Sequence, residues 1–266
     1  MKTVKVTVIG GAGRMGSRII PAINETDGIE LVGAIEKPAK ISGFPIPGTK
    51  ISFTPSDSDD LPSVIASSDV VIDVSGQEAF MANAKLAVSC IKPMVIGSTG
   101  LDDEARHYLD LAAEWIPIVL APNFSVGANA MFALVAKMTA ILGDGYDVEI
   151  IEIHHDQKKD APSGTADRLA EIVAGVRGQK LIDVACYGRH GMGYPRPKDQ
   201  IGIHSLRASD VVGEHTVTFF GPGERIELVH RVSSRDAFAQ GFVRAAEWAP
   251  EQNPGLYDMQ DVLGLK

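Results

Sequence analysis

Val4-Lys5-Val6-Thr7-Val8-Ile9-Gly10-Gly11-Ala12-Gly13-Arg14-Met15-Gly16 is a β-rich apolar run ending in a glycine turn, and Ile19, Ile20 and Ile23 follow it at helical spacing. Strand, glycine turn and helix in that order give a dinucleotide fingerprint a physical basis. A pyrophosphate must approach the backbone closely at a helix N-terminus, where a β-carbon would block it. The spacing Gly10-x-x-Gly13-x-x-Gly16 is a variant of the commoner G-x-G-x-x-G, and it also suits a tight turn that holds no phosphate. The next apolar run, Ile29 to Ile35, ends in Glu36. That is about 20 residues beyond the glycines, where an acidic side chain accepts from adenosine ribose hydroxyls. Lys37 follows directly and Arg14 sits in the turn, so a 2′-phosphate has cations to pair with. NADH and NADPH both stay open as cofactors, and Glu36 and Lys37 also read as plain surface charges at a strand end.

Further buried-type runs at Asp69–Val74, Met94–Ile96 and Ile116–Leu120, with helical stretches between, continue a β-α-β series. They end in Asp73-Val74-Ser75-Gly76, Gly97-Ser98-Thr99-Gly100 and Ala121-Pro122-Asn123-Phe124. In a doubly wound parallel sheet, ligands lie outside the carboxyl ends of the strands, so these ends are expected to line the nicotinamide half of a cofactor cleft. Each is also an ordinary βα turn; their agreement in position carries more than any one of them.

Composition bounds the rest. A chain of 266 residues with 45% hydrophobic content can bury a sizeable core, and its length suggests about two domains of ~100–150 residues. A formal net charge of −9 argues against a nucleic-acid partner, so an anionic substrate needs a local basic patch. Cys90 and Cys186 are the only cysteines, which excludes a disulfide framework and a four-cysteine metal site. No signal-peptide pattern opens the chain, and no run is expected to reach the ~18 apolar residues of a membrane helix; the expected location is the cytoplasm, with no membrane partner. The serine- and aspartate-rich stretch from Pro55 to Pro62 reads as a surface loop.

The chemistry concentrates in Ile150-Ile151-Glu152-Ile153-His154-His155-Asp156-Gln157-Lys158-Lys159-Asp160-Ala161-Pro162-Ser163-Gly164-Thr165-Ala166. A β-branched run gives way to two histidines and two lysines, then to Pro-Ser-Gly-Thr and Leu169, Ile172 and Val173 at helical spacing: strand, polar loop, helix. Along an extended chain His154 and His155 point to opposite sides. The amides around Gly164 and Thr165 lie at a helix start, where N–H groups and the helix dipole attract an anion. The same residues also suit a satisfied polar strand edge and a simple helix cap. Adjacent histidines grip one ion poorly and no third ligand is spaced nearby, so no metal is expected.

Beyond this stretch, Ser125–Ile141 reads as a long helix and Tyr146–Ile153 as the strand before the histidines. Lys180–Pro197, rich in glycine and charge, reads either as a mobile loop closing over substrate or as an exposed connection. Ile201–Arg207, Glu214–Phe220 and Arg225–Val232 read as strands of an antiparallel or mixed sheet, and Arg235–Trp248 as a closing helix.

These motifs together resemble the 4-hydroxy-tetrahydrodipicolinate reductase family, also called dihydrodipicolinate reductase. The resemblance is carried by Gly13-Arg14-Met15-Gly16, Gly97-Ser98-Thr99-Gly100, Asn123-Phe124-Ser125-Val126-Gly127, Glu152-x-His154-His155 with Lys158, Asp160-Ala161-Pro162-Ser163-Gly164-Thr165-Ala166, and Val212-Gly213-Glu214-His215-Thr216, in one order over nearly the whole chain. It implies an α/β Rossmann-like dinucleotide-binding domain made of residues 1–124 and 235–266, and a central α+β mixed-sheet domain, 125–234, that binds substrate and builds a homotetramer. It implies NADH- or NADPH-dependent reduction of a cyclic dicarboxylate in lysine biosynthesis. It implies His154 as proton donor, Lys158 as second donor, and His155, Gly164 and Thr165 as carboxylate-binding positions. Gly10, Gly11, Ala12, Gly13, Arg14, Met15, Glu36, Lys37, Gly97, Ser98, Thr99, Ala121, Pro122, Asn123 and Phe124 match cofactor contacts. The chain departs from the family at Asp73-Val74-Ser75-Gly76, where an aromatic and a proline are usual, and at Pro122, whose amide cannot donate.

Three rival readings stand beside it. A semialdehyde dehydrogenase needs a nucleophilic cysteine, and neither cysteine lies in a basic, glycine-flanked loop. A non-enzymatic nucleotide sensor has no use for the His154, Lys158 and Pro-Ser-Gly-Thr group. A metal-dependent hydrolase built on His154 and His155 would lose activity to a chelator.

Overall fold

The computed structural model describes residues 3–41, 46–98 and 100–266. The chain forms two compact units, Met1–Val126 with Arg235–Lys266, and Gly127–Ser234.

The first unit is built by repeated strand–helix alternation: β1 (Val4–Ile9), α1 (Gly16–Asn24), β2 (Ile29–Glu36), β3 (Thr54–Pro55), α2 (Leu61–Ala66), β4 (Val70–Asp73), α3 (Gln77–Ser89), β5 (Met94–Ile96), α4 (Asp103–Ala112) and β6 (Pro117–Leu120). Its strands run parallel. Both faces of such a sheet are covered, so apolar residues fill β4 up to Ile72 and all of β5, while Lys5 and Glu30 near the starts of β1 and β2 stay exposed. All four residues of β4 are buried. One core cluster holds Ile65, Phe80, Ala84 and Leu109 from α2, α3 and α4; the other holds Ile19, Ile20 and Ile23 from α1. Each such fully buried side chain contributes about 1.5–3 kcal/mol. The expected loop Pro55–Pro62 is edged by structure at both ends, since Thr54–Pro55 pairs with β2 and α2 begins at Leu61. A two-residue strand is too short to show any periodicity.

The second unit comprises α5 (Val126–Leu142), β7 (Asp147–His154), α6 (Gly164–Val176), α7 (Leu181–Val184), β8 (Ala185–Tyr187), β9 (Ile201–Arg207), β10 (Gly213–Gly221) and β11 (Glu224–Val232). The sheet is mixed, in the order β11-β10-β7-β9-β8, antiparallel across β11-β10-β7 and parallel across β7-β9-β8. Val148, Ile150, Glu152 and His154 of β7 are buried on one face. Met131, Phe132 and Val135 of α5 and Leu169, Ala170 and Val173 of α6 join Val148, Ile150, Val217 and Phe219 in one core. Contrary to expectation, one stretch, Val126–Gly145, is long and apolar enough to cross a membrane. Its helix packs Met131, Phe132 and Val135 into this core and buries Asn129 and Thr139, as the core helix of a globular unit does.

The segment 180–197 is not wholly a loop. Val184 is buried on α7, and β8 pairs with β9. Arg189 and Arg196 then bind the Glu149 carboxylate on β7, Arg189 through both nitrogens of its fork.

The chain returns to the first unit with α8 (Asp236–Trp248), β12 (Gly255–Tyr257) and α9 (Met259–Val262), which extend its sheet to seven strands in the order β12-β6-β5-β4-β1-β2-β3. Phe242, Val243 and Ala246 of α8 share a core with Ile19 and Ile23 of α1.

Candidate active site

The glycine turn sits between β1 and α1, and its glycines answer to backbone contact. Gly10 has φ +84°, and a β-carbon there would lie 2.8 Å from the main chain of Ser75. At Gly16 it would lie 2.3 Å from the Gly10 carbonyl oxygen. Gly13 N–H donates to that same carbonyl at 3.0 Å. Glu36, 4% exposed at the end of β2, accepts from Ala12 N–H at 2.9 Å through one oxygen and from Lys37 N–H at 2.9 Å through the other. A carboxylate has about four lone-pair positions, so this one keeps acceptor capacity for ribose hydroxyls. Both the close backbone approach and the acidic acceptor beside it fit a dinucleotide. Arg14 is exposed, Met15 half-buried at the start of α1, and the Lys37 ammonium pairs with Glu78 at 3.2 Å.

The strand ends meet around one buried carboxylate. Asp73 accepts from Ser75 N–H, the Ser75 hydroxyl, the Ser98 hydroxyl and Asn83 Nδ2 at 2.8–3.0 Å. Burial pushes its pKa up, and bonds from Ser75, Ser98 and Asn83 partly oppose this. Ser98 also accepts from Gly76 N–H. The turn that departs from the family pattern is thus clamped to its neighbours by Asp73. A β-carbon at Gly97 would lie 2.2 Å from the Phe242 ring. Ala121 is buried and Pro122 exposed; Asn123 Oδ1 accepts from Ser125 N–H, and the Phe124 ring stacks on Phe242 at 3.8 Å. Any nucleotide contact of Phe124 therefore falls to its main chain. Thr99 lies outside the described residues.

In the second unit, His154 ends β7, 9% exposed, and His155, half-buried, is the first residue beyond the strand. The same alternation puts Glu152, fully buried, on the His154 side, and its Oε2 accepts from His154 Nδ1 at 2.5 Å. Burial pushes Glu152 up, but bonds from His154, Arg207 and Ser205 win and hold its pKa at about 2. Lys158 follows in the loop, its ammonium 2.8 Å from Asp160. At the other end of the loop Ser163 caps α6, its hydroxyl accepting from Ala166 N–H. Gly164 and Thr165 therefore stand in the first turn of α6, and Ser163 N–H donates to Glu152 Oε1 at 3.2 Å. His154, Lys158, Gly164 and Thr165 are gathered at one end of β7 and α6.

Three residues given no role from the sequence belong to this group. Glu152 was legible as sharing a face with His154. Arg207 stands opposite His154 in the β7–β9 register, and a register is not read from one strand. It binds both Glu152 oxygens at 2.9 Å. His215, 4% exposed on β10, lies 2.9 Å from the Ser163 hydroxyl and edge-on to His154, ring centroids 5.2 Å apart. Burial first, then the neighbouring His154, holds its pKa down to about 3. Among the described residues no group of three or more His, Cys, Asp or Glu is arranged to hold a metal.

Family models described as dihydrodipicolinate reductase, N-terminus and C-terminus, match residues 4–124 and 127–263. A 4-hydroxy-tetrahydrodipicolinate reductase from Syntrophotalea carbinolica is 50% identical, with 99% of this chain and all of that protein covered. One from Anaeromyxobacter dehalogenans is 48% identical, with 98% of each covered. Among solved structures, the dipicolinate-bound dihydrodipicolinate reductase from Paenisporosarcina sp. TG-14 superposes with a TM-score of 0.76 at 27% identity, over 97% of this chain and 98% of that one. A myo-inositol dehydrogenase from Corynebacterium glutamicum, at 15% identity and TM-score 0.63 over 99% and 93%, shares the fold alone.

Proposed function

Because this chain belongs to the dihydrodipicolinate reductase family and reduces 4-hydroxy-tetrahydrodipicolinate to tetrahydrodipicolinate in the diaminopimelate route to lysine, we propose which of its residues carry the reaction. NADH or NADPH, when bound, supplies the hydride. The first unit, with residues 1–124 and 235–266, holds the nucleotide. Gly10 to Met15 admit its pyrophosphate, Glu36 accepts from the ribose with Lys37 beside it, and Gly97, Ser98 and Ala121 to Phe124 line the nicotinamide end.

The central unit, 125–234, holds the dicarboxylate. Gly164 and Thr165 present the positive end of α6 to one carboxylate, while Lys158 and His155 bind the other. Lys158 is paired with Asp160, which is 62% exposed; an ammonium has three donors, so a substrate carboxylate joins the pair rather than having to break it. Once the 4-hydroxyl has left as water to give a conjugated imine, negative charge builds on the ring as hydride arrives, and His154 quenches it by donating a proton. The observation that carries this assignment is the buried Glu152–His154 bond, an imidazole held by a carboxylate beside a helix N-terminus.

We also propose a cytoplasmic homotetramer, assembled through the sheet of the second unit. Ile151, Leu206, Phe220 and Val229, each 38–45% exposed, occupy the face opposite α5 and α6 by strand alternation and register. The reaction is tested by following nucleotide absorbance after adding freshly generated 4-hydroxy-tetrahydrodipicolinate, with NADH and NADPH in turn. Oxidation of either nucleotide, inhibited by pyridine-2,6-dicarboxylate, is expected; no oxidation of either would sink the assignment.

A further inference from the structure

The Glu152 carboxylate has no exposed surface, each of its oxygens bonds to at least two groups, and the Ser205 side chain is a further donor. Oε2 accepts from His154 Nδ1 and Arg207 Nη1; Oε1 accepts from Ser163 N–H and Arg207 Nη2. Of its three remaining donors Arg207 places two on the loop between β7 and α6, Nε on the Lys158 carbonyl and Nη2 on the Asp160 carbonyl, and the third, on Nη1, on the Leu206 carbonyl of β9. A buried ion pair with a saturated fork is a costly arrangement unless every lone pair and proton is used, and here they are. A second observation concerns the other side of the imidazole. A β-carbon at Gly213 would lie 3.1 Å from His154 Nε2. Glycine at this position, on β10, keeps a side chain from crowding that nitrogen.

We propose that Glu152 is the positioning residue for the proton donor: it holds His154 by Nδ1, so that Nε2, beside Gly213, is the atom that gives up the proton. The same carboxylate, through Ser163 and Arg207, sets the loop that carries Lys158 and the cap of α6, so acid and carboxylate site are registered by one group. This rests on the assignment of His154 as the acid. An acceptor-only carboxylate fixes the neutral imidazole as the Nδ1–H tautomer after each proton transfer, leaving Nε2 ready to be protonated again.

The groups around His154 are Glu152 on its own strand, Arg207 on β9, His215 on β10 with His230 opposite it on β11, Lys158 and Asp160 in the loop, and Asp167 in the first turn of α6. Arg207 and Lys158 are cations. Asp160, paired with Lys158, and Asp167 are carboxylates, but only Glu152 bonds the His154 ring itself, so removing its charge takes away the anion in direct contact with the imidazole.

The test compares Glu152→Gln, an isosteric change, with His154→Gln and wild type, reading the pH profile of kcat and the ring-nitrogen NMR signals of 15N-histidine-labelled protein. Glu152→Gln is expected to lower kcat about 10–1000-fold, with the KM for NADH unchanged. It should also shift the limb at which activity falls with rising pH downward by about one unit or more. In wild type, the neutral His154 signal, assigned by its loss in His154→Gln, should report the Nδ1–H tautomer. A limb that stays in place in Glu152→Gln, or a wild-type Nε2–H tautomer, overturns the proposal, and the second readout holds even if the variant does not fold. If His154→Gln itself keeps the limb and most of kcat, the assignment of the acid has failed, which is a separate result.

Discussion

The Ser163 hydroxyl lies 2.9 Å from His215 Nε2 while accepting from Ala166 N–H at 3.2 Å, so one buried bond ties β10 to the first turn of α6. His215 Nδ1 is buried with no partner. A protonated His215 would place a charge and an unanswered N–H in the core beside His154.

Stability should therefore fall on mild acidification. The His215 pKa is held down from 6.5 to about 3, so between those values the unfolded chain binds a proton that the fold refuses, and stability declines as pH drops through the window. Glu149 and Glu152 extend the loss: burial raises them, but hydrogen bonds from Arg189, His204 and Arg196, and from His154, Arg207 and Ser205, bring both from 4.5 to about 2. Their stabilisation is present above 4.5 and lost toward 2. Thermal melts of His215→Asn against wild type between about pH 7 and pH 5 should show a shallower loss of Tm in the variant. Parallel curves would contradict the account.

His154→Gln should cut kcat by ~10²–10⁴, the usual span for a lost general acid, with nucleotide affinity nearly intact. Steady-state kinetics with a fluorescence titration of NADH separate the two. Activity within a few-fold of wild type removes His154 from its role.

Glu36→Ala should weaken NADH more than NADPH, because the lost carboxylate accepts from the ribose hydroxyls while Lys37 and Arg14 remain to meet a 2′-phosphate. The bond from Ala12 N–H to Glu36 adds a second effect: the turn loses a tether, so some loss with both nucleotides is expected. Equal losses would mean that Glu36 serves the turn alone.

Gly16→Ala tests the glycine spacing by packing. Its β-carbon would sit 2.3 Å from the Gly10 carbonyl oxygen and 2.5 Å from Gly11 Cα, both main chain. Overpacking of this kind costs about 1–3 kcal/mol, and relief requires α1 to move away from the turn. Lowered Tm with weaker nucleotide binding is expected; an unchanged affinity would show that the approach of α1 to the turn is not what admits the pyrophosphate.

Much of this was legible from pattern alone. The runs at Val4–Ile9 and Ile29–Glu36 are strands buried along most of their length, and their β-branched residues leading into glycine or charged turns marked them. Strand alternation put Glu152 on the His154 side. What stayed hidden depends on pairing. Arg207 is 53 residues beyond His154 and meets it only through the β7–β9 register, and His215 comes beside Ser163 only once β10 has paired with β7. The strand Gly255–Tyr257 and helix Met259–Val262 are three and four residues long, too short for periodicity to announce them. At Gly97 and Ser98 the small residues that suggested ligand contact also have packing duties, against Phe242 and Asp73; a sequence does not separate those reasons.

The first unit is sewn from the two ends of the chain, and this sets an order on biosynthesis. The central unit, Gly127–Ser234, is contiguous and is made in full before α8 and β12. At about 5–20 residues per second, the wait between the emergence of β6 and of β12 is on the order of ten seconds. For that interval Val119 and Phe124 lack Phe242 and Val243, their partners in the finished core. The nascent nucleotide fold thus displays sticky surface while the central unit is being made, and this is the stage of synthesis at which a chaperone has most to protect.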